Sequence, residues 1–263
     1  MKLPKGFPVD PKFPKIFRIG CVLLLLISSH IFGQKQRVDS IQASKNLQFK
    51  AESLILPVSL ITYGVIGLES HQLKFLNSDI KNEINEHIDT KFTIDDVSQY
   101  SPFLSVYGLN ALGIKGKNNF KDRTVILGTA YLIMGATVNT IKKVSNEERP
   151  DGSSKNSFPS GHTATAFMGA EFLYQEYKHV SPWYGISGYM IATGTGFFRM
   201  YNDRHWLTDV TAGAGIGILS TKIAYWIHPV VKRTFFKDKE KMDGLVMPFY
   251  NGREVGLGIS LAF

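Results

Sequence analysis

Apolar residues in this chain gather into helix-length runs separated by short polar and charged intervals. Beyond residue 50 the runs are Leu54–Leu68, Val125–Ile141, Thr163–Tyr174, Trp183–Phe198 and Val210–Ile227. Each is too long for a single strand and dense enough to be buried on most sides, so the pattern predicts helices. Between the first two runs lies a charged stretch, Glu69–Tyr100, in which Leu73, Phe75, Leu76, Ile80, Ile84 and Ile88 recur near helical spacing. That stretch reads as an amphipathic helix. Thr93-Ile94-Asp95-Asp96 follows it and reads as a capping box, with Thr93 as the cap and Asp96 reaching back, in preference to a metal-binding pair of aspartates.

Both ends depart from this pattern. At the start, residues 1–33 carry Lys2, Lys5, Lys12, Lys15 and Arg18 against Asp10 alone, then an apolar stretch at Ile19–Ile27, then a polar switch at Gln34. The apolar stretch is shorter than the roughly 18 residues of a full span, which favours a signal peptide cleaved near Gly33 over a permanent anchor. Residues 38–53 extend this region as a polar helix. At the other end, Val246–Tyr250, Asn251-Gly252, and Val255, Leu257, Ile259, Leu261 and Phe263 alternating with other residues predict a hairpin on a type I′ turn. Pro248 limits its first strand to an edge. The expected architecture is all-α, a helical bundle of about six core helices with a short C-terminal β-hairpin-like tail. Its parts are the signal peptide or anchor (1–33), an N-terminal helical part (34–120), a core (121–230) and a basic segment with the tail (231–263).

Composition narrows the partners. The 263 residues are 44% hydrophobic with a formal net charge of +8, and half of that excess sits in residues 1–33. There is no basic run interleaved with aromatics, no zinc spacing and no helix-turn-helix pattern, so no nucleic-acid partner is expected. Cys21 is the single cysteine, which excludes an intrachain disulfide and a cysteine-based metal site. Gly213, Gly215 and Gly217 string together, but no strand precedes them to build a dinucleotide turn; close helix packing is the expected use. Glu171 interrupts one apolar run.

Three clusters carry chemistry: Lys142 with Arg149-Pro150, then Pro159-Ser160-Gly161-His162, then Arg199 with His205 and Asp209. If the helix from Val125 runs on, Lys142 and Arg149 share a face, although Pro150 disfavours helix at Arg149 and places its guanidinium at the mouth of a loop. An arginine fork binds two phosphate oxygens at once and stays charged. The second cluster runs straight into an apolar helix, whose first N–H groups suit an anion; here Gly161 permits close approach and His162 is placed to donate a proton. In the third, a helix capped by Asn202 or Asp203 puts His205 and Asp209 on one face at i, i+4. The carboxylate then fixes one ring nitrogen and frees the other to attack phosphorus.

As K-x6-R-P, P-S-G-H and R-x5-H-x3-D, these clusters resemble the signature of the type-2 phosphatidic acid phosphatase and vanadium haloperoxidase superfamily over about Val125–Ile227. The resemblance implies an all-helical bundle and no divalent metal or other cofactor. It also implies phosphate binding by Lys142, Arg149, Ser160, Gly161 and Arg199, acid catalysis by His162, attack by His205 and support from Asp209. Phe198 stands where the family commonly has serine. The leading expectation is a membrane-associated, metal-independent phosphatase acting on a phosphorylated lipid (phosphatidate, an undecaprenyl carrier or a lipid A type), with its site facing the periplasm. A soluble exported acid phosphatase is the alternative, and a vanadate-dependent haloperoxidase, the one case with a cofactor, the third. No protein partner is inferable.

Overall fold

In a computed structural model, residues 51–86, 91–235, 243–250 and 255–262 are described. The signal-peptide reading of 1–33, Cys21, most of the polar helix at 38–53 and the Asn251-Gly252 turn lie outside them. The helices are α1 (Glu52–Glu69), α2 (His71–Asn85), α3 (Asp95–Ser98), α4 (Ser101–Ala111), α5 (Phe120–Ser145), α6 (Gly161–Tyr177), α7 (Pro182–Tyr201) and α8 (Leu207–Phe235). All five apolar runs became helices. Among the described residues α1, α4, α5, α6, α7 and α8 make a six-helix all-α bundle, with α6 packed against α4, α5, α7 and α8.

Two helices, α1 and α7, invert the usual size rule. On α1 the buried residues are Pro57, Gly64 and Gly67, while Ile55, Leu56, Val58, Val65 and Ile66 are exposed. On α7 the inward seam is Gly185, Gly188, Ala192, Thr195 and Gly196, with Trp183, Met190 and Phe197 outside. Small residues inward and large apolar residues outward suit helices surrounded by lipid, where close backbone approach holds the helices together. By length and composition α1, α5 and α8 each suffice to cross a membrane. The glycine string on α8 is the tightest seam. A Cβ on Gly213 would meet the Ser160 carbonyl oxygen at 2.5 Å, and on Gly215 the Pro57 carbonyl oxygen at 2.6 Å. Gly217 lies closer still to the Ala164 carbonyl.

Two buried glutamates are paired across the bundle. Glu171 faces inward, where Lys222 Nζ (2.7 Å), Gln175 Nε2 (2.6 Å) and the Tyr189 hydroxyl donate to it, so it interrupts no lipid-facing surface. Towards the other end, Glu176 accepts from Asn118 and from the Tyr225 hydroxyl (2.6 Å), which fastens the α4–α5 connection to α6 and α8.

Several local expectations are corrected. Helix α4 was not foreseen, because Pro102 in its first turn and Gly108 obscure its periodicity. Thr93 makes no side-chain cap, and both aspartates turn elsewhere. Helix α5 stops at Ser145 with Asn146 in the left-handed region (φ 49°), so Arg149 is reached by a loop, as Pro150 demanded, and not along a shared helix face. The tail is an antiparallel hairpin of β1 (Asp243–Tyr250) and β2 (Val255–Ala262), but Tyr250 pairs with Val255. Four residues therefore separate the strands, where a type I′ turn leaves two.

Candidate active site

The site is assembled at one end of the bundle, where α5 and α7 finish and α6 and α8 begin. Loop 146–160 is held against it by backbone and side-chain bonds: Ser157 N–H to Glu147 O (2.9 Å), Ser145 Oγ to Phe158 O (3.0 Å), and the Lys142 ammonium to the Asn156 and Ser157 carbonyls. A second set of bonds ties the neighbouring loop to it, with Asp151 N–H donating to Asp203 O (3.2 Å) and Trp206 Nε1 to Glu148 O (2.9 Å). From the amphipathic α2, Lys81 Nζ donates to Pro150 O (2.6 Å).

His205 is not on a helix, contrary to the capped-helix reading. It follows a turn in which Asp203 has φ 56° and the Arg204 and His205 amides donate to Arg199 O; α8 starts only at Leu207. Asn202 instead donates Nδ2 to Phe92 O and to Asp95 Oδ1 (3.0 Å). Asp209 still meets His205, at 3.5 Å from Oδ2 to Nδ1, and the same oxygen accepts from Ser157 Oγ (2.5 Å) and the Trp206 amide (2.9 Å). Ser157 Oγ also lies 3.5 Å from His205 Nδ1. With Nδ1 on this side, Nε2 is the nitrogen left for chemistry. Sequence reasoning passed over Ser157; its place in a Pro/Ser/Gly loop carried no signal of its partner 52 residues away.

Ser160 differs from expectation in one respect. Its amide donates to Asp209 O (3.0 Å) and so is not open to an anion, while its hydroxyl caps α6 by accepting from the Thr163 amide. The Gly161 and His162 amides are the first-turn donors that a helix leaves unpaired.

Cations surround the histidines. Arg199 is buried, with Nη1 2.5 Å from Asp95 Oδ2 and 3.7 Å from Asp96 Oδ1. The Nε–H groups of both Arg149 and Arg199 are buried without a hydrogen-bond partner among the described residues. Two buried guanidinium edges with no acceptor are costly alone and are relieved by an anion. Burial, then Arg199 and Arg204, pulls Arg149 below its usual pKa, the signature of crowded positive charge. His205 is 3% exposed, and burial, followed by the charges of Lys142, Arg199 and Arg149, pushes its pKa well below the ordinary 6.5. Both causes favour the neutral ring. A cavity of about 370 Å³ opens over Arg149, His162 and Arg199, walled by Asp95 and Asp96, with Lys91 and Arg204 at its edge.

All eight residues picked from the sequence thus lie at this end of the bundle, and Ser157, Asp95, Asp96 and Asn202 join them. Residues 123–233 match the model of the PAP2 superfamily. Among its relatives, a lipid A 1-phosphatase of Porphyromonas gingivalis is 42% identical over 143 residues, 53% of this chain and 32% of that protein. The bacitracin transport permease protein BcrC of Bacillus licheniformis is 31% identical over 100 residues, 36% of this chain and 46% of that protein. The chain spans less than half the length of either. Of solved structures, Aquifex aeolicus LpxE aligns with a TM-score of 0.44 at 25% identity, covering 57% of this chain and 94% of that one. A PAP2-type phosphatidylglycerolphosphate phosphatase from Bacillus subtilis aligns at 0.43 and 20% identity, covering 68% and 98%.

Proposed function

We propose that this chain is a membrane phosphatase that hydrolyses a phosphate ester or pyrophosphate of a lipid through a phosphohistidine on His205. The observation that carries this reading is a buried, neutral His205, oriented at Nδ1 by Asp209 and Ser157 and ringed by Lys142, Arg149 and Arg199. Attack of Nε2 forms the N–P bond as the ester P–O bond breaks. Negative charge on the equatorial oxygens meets the three cations and the first-turn amides of α6. Asp209 stabilises the charge that develops on the imidazole, and His162 protonates the departing alkoxide. In the second half-reaction His162 takes a proton from water, whose oxygen attacks phosphorus and releases His205 and inorganic phosphate. Every charge needed comes from the protein, so no divalent metal enters these steps.

A lipid substrate is supported by the exposed apolar faces of α1 and α7, which favour it over the soluble acid phosphatase reading. The P. gingivalis relative makes the 1-phosphate of lipid A the first candidate among lipid phosphates. An outward-facing site is supported by charge: Lys115, Lys117, Lys121 and Arg123 precede or open α5, and Lys232 and Arg233 close α8, all at the helix ends opposite the site. Basic flanks of this kind suit the cytoplasmic side, and the comparable number of cations at the other end belongs to the site and its loop.

The test is a rapid quench of wild-type protein turning over a radiolabelled phospholipid, into alkaline denaturant that preserves phosphohistidine. Label on the protein, absent from His205→Ala along with turnover, is the expected result. Normal turnover in His205→Ala refutes the mechanism.

A further inference from the structure

The paired aspartates, read from sequence as a helix cap, stand on opposite sides of the proton donor's surroundings. Asp95 is 1% exposed and accepts from Arg199 and Asn202; Asp96 is 57% exposed, with Oδ1 2.9 Å from His162 Nε2 and 3.7 Å from Arg199 Nη1. Ligating atoms of Asp95, Asp96 and His162 lie within 4.8 Å of one another, a grouping that resembles a metal site. The Arg199 guanidinium, however, already lies between the two carboxylates and offsets one of their two charges, and a protonated His162 offsets the other.

The bond to Asp96 decides what His162 can do. With Nε2–H held by a carboxylate, only Nδ1 remains for a substrate oxygen, and in the neutral ring Nδ1 is a lone pair. His162 gives up a proton from Nδ1 only as imidazolium, and an adjacent carboxylate favours that form. We infer that Asp96 is a positioning residue: it turns Nδ1 of His162 towards the leaving oxygen and raises the share of rings that carry a proton for the first half-reaction. This rests on the phosphatase reading above. In that step the proton passes from Nδ1 to the alkoxide as the P–O bond breaks; the neutral ring, still held at Nε2, then accepts a proton from the attacking water.

The surrounding charges make such support necessary. Burial first, then Arg199, lowers the His162 pKa, and Asp96 and Asp95 oppose that. Lys91 before α3, Lys142 on α5, Arg149 in the loop, Arg204 and His205 before α8 and Asp209 on α8 are the other charged and titratable groups of the site. Without Asp96, the cations face His162 with only the buried Asp95 against them, and Asp95 is already committed to Arg199.

The full chain in detergent micelles, as wild type, Asp96→Asn, His162→Ala and the double variant, is assayed on p-nitrophenyl phosphate, whose leaving group needs no proton, and on a long-chain alkyl phosphate, whose leaving group does. Asp96→Asn is expected to lower the alkyl-to-aryl ratio of kcat/KM about tenfold, the scale of a partly exposed hydrogen bond to a charged group. It also moves the alkaline limb of the alkyl profile to lower pH, and adds no loss in the His162→Ala background. An equal fall on both esters, an unchanged ratio, or an additive loss in the double variant overturns the inference. So does a divalent-ion requirement of the wild type that disappears in Asp96→Asn. Histidine-selective NMR titration reads His162 without turnover: its midpoint falls in Asp96→Asn, and an unmoved midpoint overturns the inference. Wild type that hydrolyses neither ester refutes the phosphatase reading instead, while the titration still decides the role of Asp96.

Discussion

Gly213→Ala adds one methyl group at the point where α8 supports the anion-binding end of α6. The new Cβ is built 2.5 Å from the Ser160 carbonyl oxygen and 3.3 Å from its carbon, whereas real Cβ atoms essentially never come within 3.0 Å of a heavy atom. Since backbone cannot swing aside like a flexible side chain, the Ser160–Gly161 segment must retreat from α8 by about half an ångström, in a reactive geometry where a 1 Å error costs roughly a hundredfold. Ser160 N–H is also bonded to Asp209 O, so the displacement pulls on the carboxylate that orients His205. The expected result is a kcat/KM about tenfold or more below wild type, together with about 1–3 kcal/mol of overpacking strain. The assay compares kcat/KM on a soluble aryl phosphate and thermal unfolding in detergent for Gly213→Ala, Gly217→Ala and Gly194→Ala. Gly217 meets the Ala164 backbone further along α6, away from the catalytic groups, and a Cβ on Gly194 meets nothing within 4 Å. Gly217→Ala should lose stability with proportionately less activity, and Gly194→Ala should change neither. If Gly213→Ala is as active and as stable as Gly194→Ala, the claim that this helix contact sets the site geometry is wrong.

Arg149→Lys replaces a fork whose buried Nε–H has no acceptor among the described residues with a point charge; kcat/KM should fall about ten- to a hundredfold and inhibition by vanadate should weaken with it, while wild-type turnover survives chelators. His205 is held neutral when folded but binds a proton in the unfolded chain below about pH 6.5, so the unfolded state takes up more protons there and stability falls as pH drops through that window. The melting temperature of His205→Gln should therefore decline less steeply between pH 7 and 5 than that of wild type, and parallel slopes contradict the assignment. In a Cys21→Ser background, Ser154→Cys should react with an impermeant thiol reagent in intact cells and Lys115→Cys should not; the reverse pattern refutes an outward-facing site.

Hydrophobic patterning was sufficient for the five long helices, because a run such as Val125–Ile141 has no other compact way to satisfy its backbone hydrogen bonds. The three clusters that meet at the candidate site were also legible, since each places its charges or histidines within a few residues of a helix end. Even the glycine string on α8 announced itself, as small residues at close spacing serve packing when no strand precedes them.

What the linear pattern did not contain is who meets whom across the chain. Ser157 and Asp209 are 52 residues apart, Asp96 and His162 66, and Asp95 and Arg199 104, so no local periodicity links them. The Asp95-Asp96 pair shows why local chemistry misleads. Next to Thr93 it has the composition of a capping box worth about 1 kcal/mol. Tertiary packing instead offers Asp95 the buried Arg199 guanidinium, and a charge without its partner in that position would cost several times as much. His205 illustrates the same competition: i, i+4 spacing suggested a helix, yet the turn at Asp203 presents the ring to Asp209 without one. A buried cation demanding a counter-charge outweighs a cap, and only the assembled bundle determines which cations are buried.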